Sequence, residues 1–316
     1  AQIRHLGYNK SIMQSRDKAR RNLEIITREL EANPDDLFHK FNLANTYFSM
    51  GDYEQAAYWA EQTCPYLRGD EDWAGQIWAD WVESLANLER YEAALAIGAD
   101  ALARGIDHPM VHYTLASVYT QMGCAQKALE ALEAARASAI RMGLLAADGE
   151  TLLAGSGYVG DVGVVTYKWR FAYARALREL GRHDEARLLY ERLMQERPND
   201  PPVLLEYGQT LLLMGEPAQA ETVFQQLATH DAYHALAQQL LAKTWWEAGD
   251  YRRALPYLRA VAHALPDQPD WWERWLHAAE QAGDAHAIND AYAFYTAQGR
   301  RPTAAMYINW GRALWQ

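Results

Sequence analysis

Residues 181–227 read GRHDEARLLYERLMQERPNDPPVLLEYGQTLLLMGEPAQAETVFQQL, and the small residues in this stretch decide the fold. Within it a glycine twice stands five residues before an alanine, and the two glycines are 34 residues apart. The same spacing relates Gly51 to Ala56 and Gly249 to Ala254, besides Gly181 to Ala186 and Gly215 to Ala220. A fixed interval of this kind predicts a chain built from repeated structural units.

The same register extends through most of the sequence when repeats begin at residues 37, 75, 109, 167, 201, 235 and 269. Their eighth position is mostly small: Ala44, Val82, Ala116, Ala174, Gly208, Ala242 and Leu276. The twentieth position is also mostly small: Ala56, Ala94, Ala128, Ala186, Ala220, Ala254 and Ile288. These positions predict close crossings between the two helices of each repeat, helix A and helix B, because larger side chains would push them apart.

Glycine at the fifteenth position marks the end of helix A, where a left-handed cap costs glycine little. It is present in six repeats, at Gly51, Gly123, Gly181, Gly215, Gly249 and Gly283, whereas the second repeat has Glu89. The period and the small residues are typical of tetratricopeptide repeats. We therefore predict an all-α, right-handed superhelical solenoid of about seven such repeats over residues 37–302, closed by a capping helix over residues 303–316.

One insertion, residues 143–166, separates the third repeat from the fourth. It contains Gly155, Gly157 and Gly160 in the spacing G-x-G-x-x-G, which binds phosphates where a strand precedes the glycines and a helix opens at them. Helical repeats supply no such strand, so the preferred interpretation is a long loop between repeats. For the apolar end of the capping helix, packing on the seventh repeat is preferred over a dimer contact.

Composition narrows the classes of partner. The chain has 316 residues, a formal charge of -11 and a sequence pI of about 5.4. An acidic surface repels phosphate backbones, which disfavours nucleic acid as a general partner. No apolar run is long enough to span a membrane and no secretory signal pattern opens the chain, so a cytoplasmic protein is predicted. Cys64 and Cys124 are expected to be ordinary thiols.

The helix-A face, formed by repeat positions two, five, six, nine and twelve, is the expected ligand groove. In the first repeat these positions hold Phe38, Phe41, Asn42, Asn45 and Phe48. Aromatic rings could cover the apolar side chains of an extended peptide while amides bond to its backbone. The alternative for Phe38 and Phe41 is packing beneath the preceding helix.

Two other groups of residues are candidates on this face. In the fourth repeat Lys168, Arg175 and Arg178 form a basic spot for a carboxylate or phosphate, or else a solvated surface paired with Glu179. Trp246 is the candidate ligand contact of the C-terminal half, for a peptide or a glycan. Six other tryptophans are predicted to be core residues: Trp78, Trp81, Trp169, Trp245, Trp272 and Trp275.

The sequence shows no P-loop, nucleophile elbow or zinc-protease motif. We therefore expect neither catalytic residues nor a cofactor in this chain itself. The short stretch ahead of the repeats carries a different signal. Its residues include Ile3, His5, Gly7, Tyr8, Lys18, Arg21, Asn22, Leu23, Glu29, Leu30, Pro34 and Asp36.

This pattern resembles the junction in bacterial family 2 glycosyltransferases that carry C-terminal tetratricopeptide repeats. The resemblance covers about the first 36 residues. It implies that residues 1–14 are the end of an upstream catalytic domain and that residues 15–36 form a junction helix. It also implies a nucleotide sugar and a divalent metal in the missing domain, whose metal site His5 would complete.

Two hypotheses of different classes follow. In the first, the chain is the non-catalytic repeat region of a glycosyltransferase, which binds a peptide, protein or glycan acceptor or mediates a homodimer. In the second, it is a free-standing cytosolic adaptor that recognises an extended peptide of a partner protein. A preceding domain of about 200–250 residues would favour the first hypothesis.

Overall fold

The structure is a computed structural model that describes residues 10–153, 161–301 and 303–314. Over these ranges it contains sixteen α-helices and no β-strand, only an isolated bridge between Leu145 and Leu152. The helices are α1 (Lys10–Ala32), α2 (Leu37–Met50), α3 (Tyr53–Glu61), α4 (Ala74–Asn87), α5 (Tyr91–Ala103), α6 (Pro109–Gln121), α7 (Ala125–Arg141), α8 (Tyr167–Glu179), α9 (His183–Glu196), α10 (Pro201–Leu213), α11 (Pro217–Leu227), α12 (His234–Glu247), α13 (Tyr251–Ala264), α14 (Pro269–Ala282), α15 (Ala285–Ala297) and α16 (Ala304–Leu314).

The predicted register is confirmed. The seven A helices, α2 and every second helix after it up to α14, begin at residues 37, 74, 109, 167, 201, 234 and 269, within one residue of the predicted starts. All small residues at the eighth and twentieth positions are buried. The crossing in the fifth repeat is so close that a Cβ added at Gly208 would lie 2.3 Å from Cε1 of Phe224. A larger residue there would have to displace the phenylalanine ring.

The turn that ends each A helix uses a left-handed residue. The glycines at the fifteenth position all have positive φ, for example 77° at Gly51 and 75° at Gly215. The second repeat keeps this geometry without a glycine, because Glu89 adopts φ 59°. Its N–H still donates to the carbonyl of Ala86, as the turn requires. The turn therefore follows from the packing of the repeat and not from the glycine alone.

The chain divides into two compact units, Ala1–Leu180 and Gly181–Gln316. In the first unit each helix from α1 to α8 packs on the next, and the core includes Trp78, 1% exposed, and Trp81, 8% exposed. Part of the insertion joins this unit, since Val164 and Val165 pack with Leu144 and Ala139. The G-x-G-x-x-G glycines lie outside the described residues.

In the second unit each helix from α9 to α16 packs on the next, and its core contains Trp245, Trp272 and Trp275. These three tryptophans are core residues as predicted, and so are Trp78, Trp81 and Trp169 in the first unit. At the cap, the Trp310 ring stacks on Tyr292 with centroids 5.1 Å apart, and its Nε1 donates to Oδ1 of Asn289 at 2.9 Å. Trp310 thus packs on the seventh repeat.

Candidate ligand-binding faces

The two phenylalanines at the start of the first repeat differ in exposure. Phe41 is 6% exposed, and its ring stacks on Trp73 with centroids 4.7 Å apart. Phe38 is 51% exposed and meets Trp73 only through an edge contact, at 6.1 Å. Phe41 therefore belongs to the core of the first unit, which was the alternative interpretation, while Phe38 presents an accessible ring.

The other candidates in the first repeat are half-buried. Asn42 and Asn45 lie three residues apart on α2, which places both amides on one face of the helix. Phe48 packs against Tyr53 in an edge-on contact with centroids 5.7 Å apart. Among the candidates of this repeat, Phe38 is therefore exposed, while Asn42, Asn45 and Phe48 are partly accessible.

The basic candidates of α8 stand close to carboxylates. The ammonium of Lys168 contacts the carboxylate of Asp161, which belongs to the 3-10 turn Val162–Val165 as its N-cap. Nε of Arg175 lies 3.5 Å from Oε1 of Glu179. Arg178 lies in the last turn of the same helix. A ligand anion at Lys168 or Arg175 would compete with these partners, which agrees with the alternative of a paired surface.

Sequence reasoning missed a buried carboxylate on the helix-A face of the first unit. Asp80 occupies position six of the second repeat and is 7% exposed. Burial, together with repulsion from Glu83, raises the pKa of Asp80 from 3.8 to about 7. The register itself was the signal that could have identified it, since position six belongs to the helix-A face.

Glu83 stands one turn further along α4, at position nine. Lost hydration raises the pKa of its carboxyl, and the nearby Lys168 ammonium opposes that rise. The Glu83 side chain is nevertheless exposed, so water screens its charge. Burial and the negative charge of Glu83 also raise the pKa of Tyr113 to about 12. The second repeat thus carries two carboxyl groups one turn apart on α4.

In the second unit an arginine lies against an aromatic cluster. Trp246 is half-buried at position twelve of the sixth repeat, and its ring makes edge contacts with Tyr251 at 5.5 Å and His277 at 5.3 Å. Cζ of Arg274 lies 5.6 Å from the ring centroid of Trp246 and 5.4 Å from that of Trp271. We call these five residues the Arg274 cluster.

The Arg274 cluster joins groove positions of two successive repeats. Arg274 and His277 hold positions six and nine of the seventh repeat, and Trp246 was the sequence candidate in the sixth. The register could have identified Arg274 and its neighbour Trp271 one turn earlier on α14, but the contact of Arg274 with Trp246 depends on how α14 approaches α12. Two exposed leucines also lie on A helices of this unit: Leu236, at position two of the sixth repeat, is 38% exposed, and Leu213, at position thirteen of the fifth, is 60% exposed.

The described residues form no metal-binding site. No group of three or more histidine, cysteine, aspartate or glutamate residues comes together among them as a metal site. His5, the candidate carried over from the resemblance, lies outside the described residues. None of the described helices is both long and apolar enough to cross a bilayer.

Comparison with known proteins agrees with the repeat architecture. Family models of the tetratricopeptide repeat match residues 177–244 and 42–65. Tetratricopeptide repeats are therefore present in both matched ranges, and the all-α repeat fold that the sequence predicts is confirmed. No curated protein matches its sequence.

Several solved structures are similar in fold. PilW, described as a widely conserved type IV pilus biogenesis factor, is 17% identical with a TM-score of 0.50, over 76% of this chain and 98% of PilW. YrrB, described as a TPR protein with an unusual peptide-binding site, is 18% identical with a TM-score of 0.46, over 68% of this chain and 96% of YrrB. A chain of the Naa15/Naa10 complex bound to HypK-THB is 15% identical with a TM-score of 0.46, over 88% of this chain and 39% of its own length. At these identities the likeness concerns the fold alone.

Proposed function

We propose that the chain is a non-catalytic scaffold that holds an extended segment of a partner protein on its helix-A face. The observation that carries this proposal is the exposure of Leu236 at position two, together with half-buried Trp246 at position twelve, in the second unit. Leu213, also exposed, stands at position thirteen, four residues after position nine and therefore on the same side of α10. Apolar side chains grouped on one face of a repeat array fit a ligand-binding surface better than a purely solvated one.

The chemistry of this face suits an extended peptide. Leucine and tryptophan side chains remove apolar ligand groups from water, at roughly 25 cal/mol per Å² of apolar surface buried. Half-buried amides such as Gln239 in the second unit and Asn45 in the first offer both a donor and an acceptor to a peptide backbone. Side chains of these types bind a segment without a deep pocket.

A photo-cross-linker tests this proposal in cells that produce the protein. Benzoylphenylalanine would replace Leu213 on α10 or, as a matched control, Leu188 on helix B of the fourth repeat, which is 66% exposed. We expect a cross-linked partner at least several-fold stronger from position 213 than from position 188. Equal yields at both positions would contradict the proposal. An adduct of two copies of this chain would instead indicate a homodimer.

We further propose that the scaffold serves a glycosyltransferase and binds its peptide, protein or glycan acceptor. The support is the resemblance of the first 36 residues to the junction of that family. Within these 36 residues the structure describes α1, Lys10–Ala32, which packs on α2 of the first repeat. Trp246 suits an acceptor that contains sugar rings, because an aromatic face can cover one.

The reading frame ahead of Ala1 tests this second proposal. We expect it to encode a nucleotide-sugar-binding domain with an Asp-x-Asp motif. A start codon immediately ahead of Ala1 would refute it and favour the free-standing adaptor. Because the present chain contains no donor-binding motif, we also expect the purified chain to give no turnover of a nucleotide sugar, as measured by release of the free nucleotide.

A further inference from the structure

In the Arg274 cluster a guanidinium group lies against two indole rings. The Arg274 guanidinium is half-buried and lies within cation–π distance of both Trp246 and Trp271. These contacts restrict the side chain before any ligand arrives. A guanidinium held in one place loses less conformational freedom when it binds an acceptor.

The hydrogen-bonding capacity of Arg274 is unused. Among the described residues it makes neither a hydrogen bond nor an ion pair, only the two contacts with indole rings. Other arginines of the second unit are paired: Arg187 contacts Glu191 at 2.8 Å and Glu216 at 3.0 Å. A guanidinium has five N–H donors in a planar fork that matches a carboxylate. A ligand carboxylate would accept hydrogen bonds from these unused N–H groups.

The surroundings limit how much negative charge the partner can carry. Asp270 and Glu273 stand on the same helix, and on α12 Lys243 is already near Glu247 at 3.6 Å. The whole chain carries a formal charge of -11. A run of acidic residues would therefore be repelled, whereas one carboxylate flanked by apolar residues would meet Arg274 and the neighbouring aromatic rings.

We propose that Arg274 binds a single carboxylate of the partner segment, so that the second unit selects segments in which one Asp or Glu lies among apolar residues. This proposal rests on the proposed function, because it names the ligand chemistry of the same helix-A face. Trp246 and Trp271 position the guanidinium, and Trp246 with Tyr251 offers apolar surface beside it.

A displayed library of random twelve-residue peptides, selected against the full chain, tests the inference. We expect the selected peptides to be several-fold enriched in sequences with one acidic residue among apolar residues. When the Arg274→Gln variant is the target, the selected peptides should show no preference for an acidic residue but should still be rich in apolar residues. Arg300→Gln is the matched control, because Arg300 also lies over a tryptophan, Trp272 at 4.8 Å, but follows α15 outside the helix-A face.

A peptide selected by the unmodified chain then allows a double-mutant cycle. We expect Arg274→Gln and the change of the peptide's acidic residue to its amide each to weaken binding about tenfold or more, and the two changes together to cost little beyond either one. Arg274→Lys keeps the charge without the fork and should weaken binding less. Circular dichroism would verify that each variant is folded.

The outcomes separate the two proposals. Selected peptides without an acidic preference, or a preference that survives in Arg274→Gln, would overturn the role of Arg274 and leave the scaffold proposal standing. Selection of no peptide above background would count against the scaffold proposal itself and therefore against both.

Discussion

The helix-A faces of the second and seventh repeats place side chains of opposite charge type at position six. Position six is Asp80 in the second repeat and Arg274 in the seventh, and position nine is Glu83 and His277, respectively. In both repeats the residue at position six is the less exposed of the two. The crossing positions eight and twenty, by contrast, are buried in both repeats. The difference shows that repeat packing constrains the crossings and leaves the helix-A face free to diverge.

The largest predicted effect concerns the face of the first repeat. Phe41→Ala should lower the free energy of unfolding by about 3–5 kcal/mol, because it removes a buried ring and leaves a cavity beside Trp73. Phe38→Ala is the matched control and should cost less than about 1 kcal/mol. Urea unfolding monitored by circular dichroism would measure both. Equal losses would mean that the two rings do not differ in burial as the structure shows.

The carboxyl group of Asp80, at position six of the second repeat, should make the free energy of unfolding depend on pH. The pKa of Asp80 in the folded protein is about 7, above the value of about 3.9 for an unfolded aspartate. At a pH between these two pKa values, Asp80 is therefore protonated in the folded state and ionised in the unfolded state. The stability associated with the protonated carboxyl is present in full at low pH and is lost as pH rises through 7.

Asp80→Asn should accordingly stabilise the protein at pH 8 relative to the unmodified chain, by on the order of 2–4 kcal/mol, and much less at pH 5. Asp70→Asn, at an exposed position of the same unit, should show no such difference. Urea unfolding at the two pH values provides the measurement. An effect of Asp80→Asn that is independent of pH would contradict the raised pKa.

Larger side chains at the helix crossings should destabilise both units to a similar extent. Ala94→Leu in the second repeat and Ala220→Leu in the fifth should each destabilise the protein by about 1–3 kcal/mol, since both alanines are 0% exposed and a larger side chain would overpack the crossing. Ala218→Leu, at an exposed position on α11, is the control. Chemical denaturation would report the loss. An unchanged midpoint for either buried variant would refute the register.

The smallest effect is expected at the turn after helix A. Glu89→Gly should stabilise the second repeat by about 0.5–1 kcal/mol, because glycine adopts φ near 59° more readily than glutamate. Gly215→Ala in the fifth repeat should have the opposite sign and a similar size. A Cβ at Gly215 would meet no atom within 4 Å, so only backbone strain contributes there. Thermal unfolding would compare the two; a shift of the same sign in both would contradict this account.

The prediction from sequence was most accurate where local sterics decide the outcome. Small residues at the crossings and glycines at the turns gave the starts of all seven A helices to within one residue. The same reasoning placed Phe38 and Trp246 on A helices, and the structure leaves the first exposed and the second half-buried. The reasoning did not distinguish the exposed Phe38 from the buried Phe41, because both satisfy the same helical periodicity.

The sequence by itself determined the repeat class, the register and the helix-A positions, because each follows from the size of a side chain or the backbone freedom of a residue at a fixed interval. Only the tertiary structure decided which of those positions are open and what surrounds them. The proximity of Arg274 to Trp246 and the burial of Asp80 depend on how helices from successive repeats pack. Such environments are set by contacts between residues distant in sequence, which a period of 34 residues does not encode.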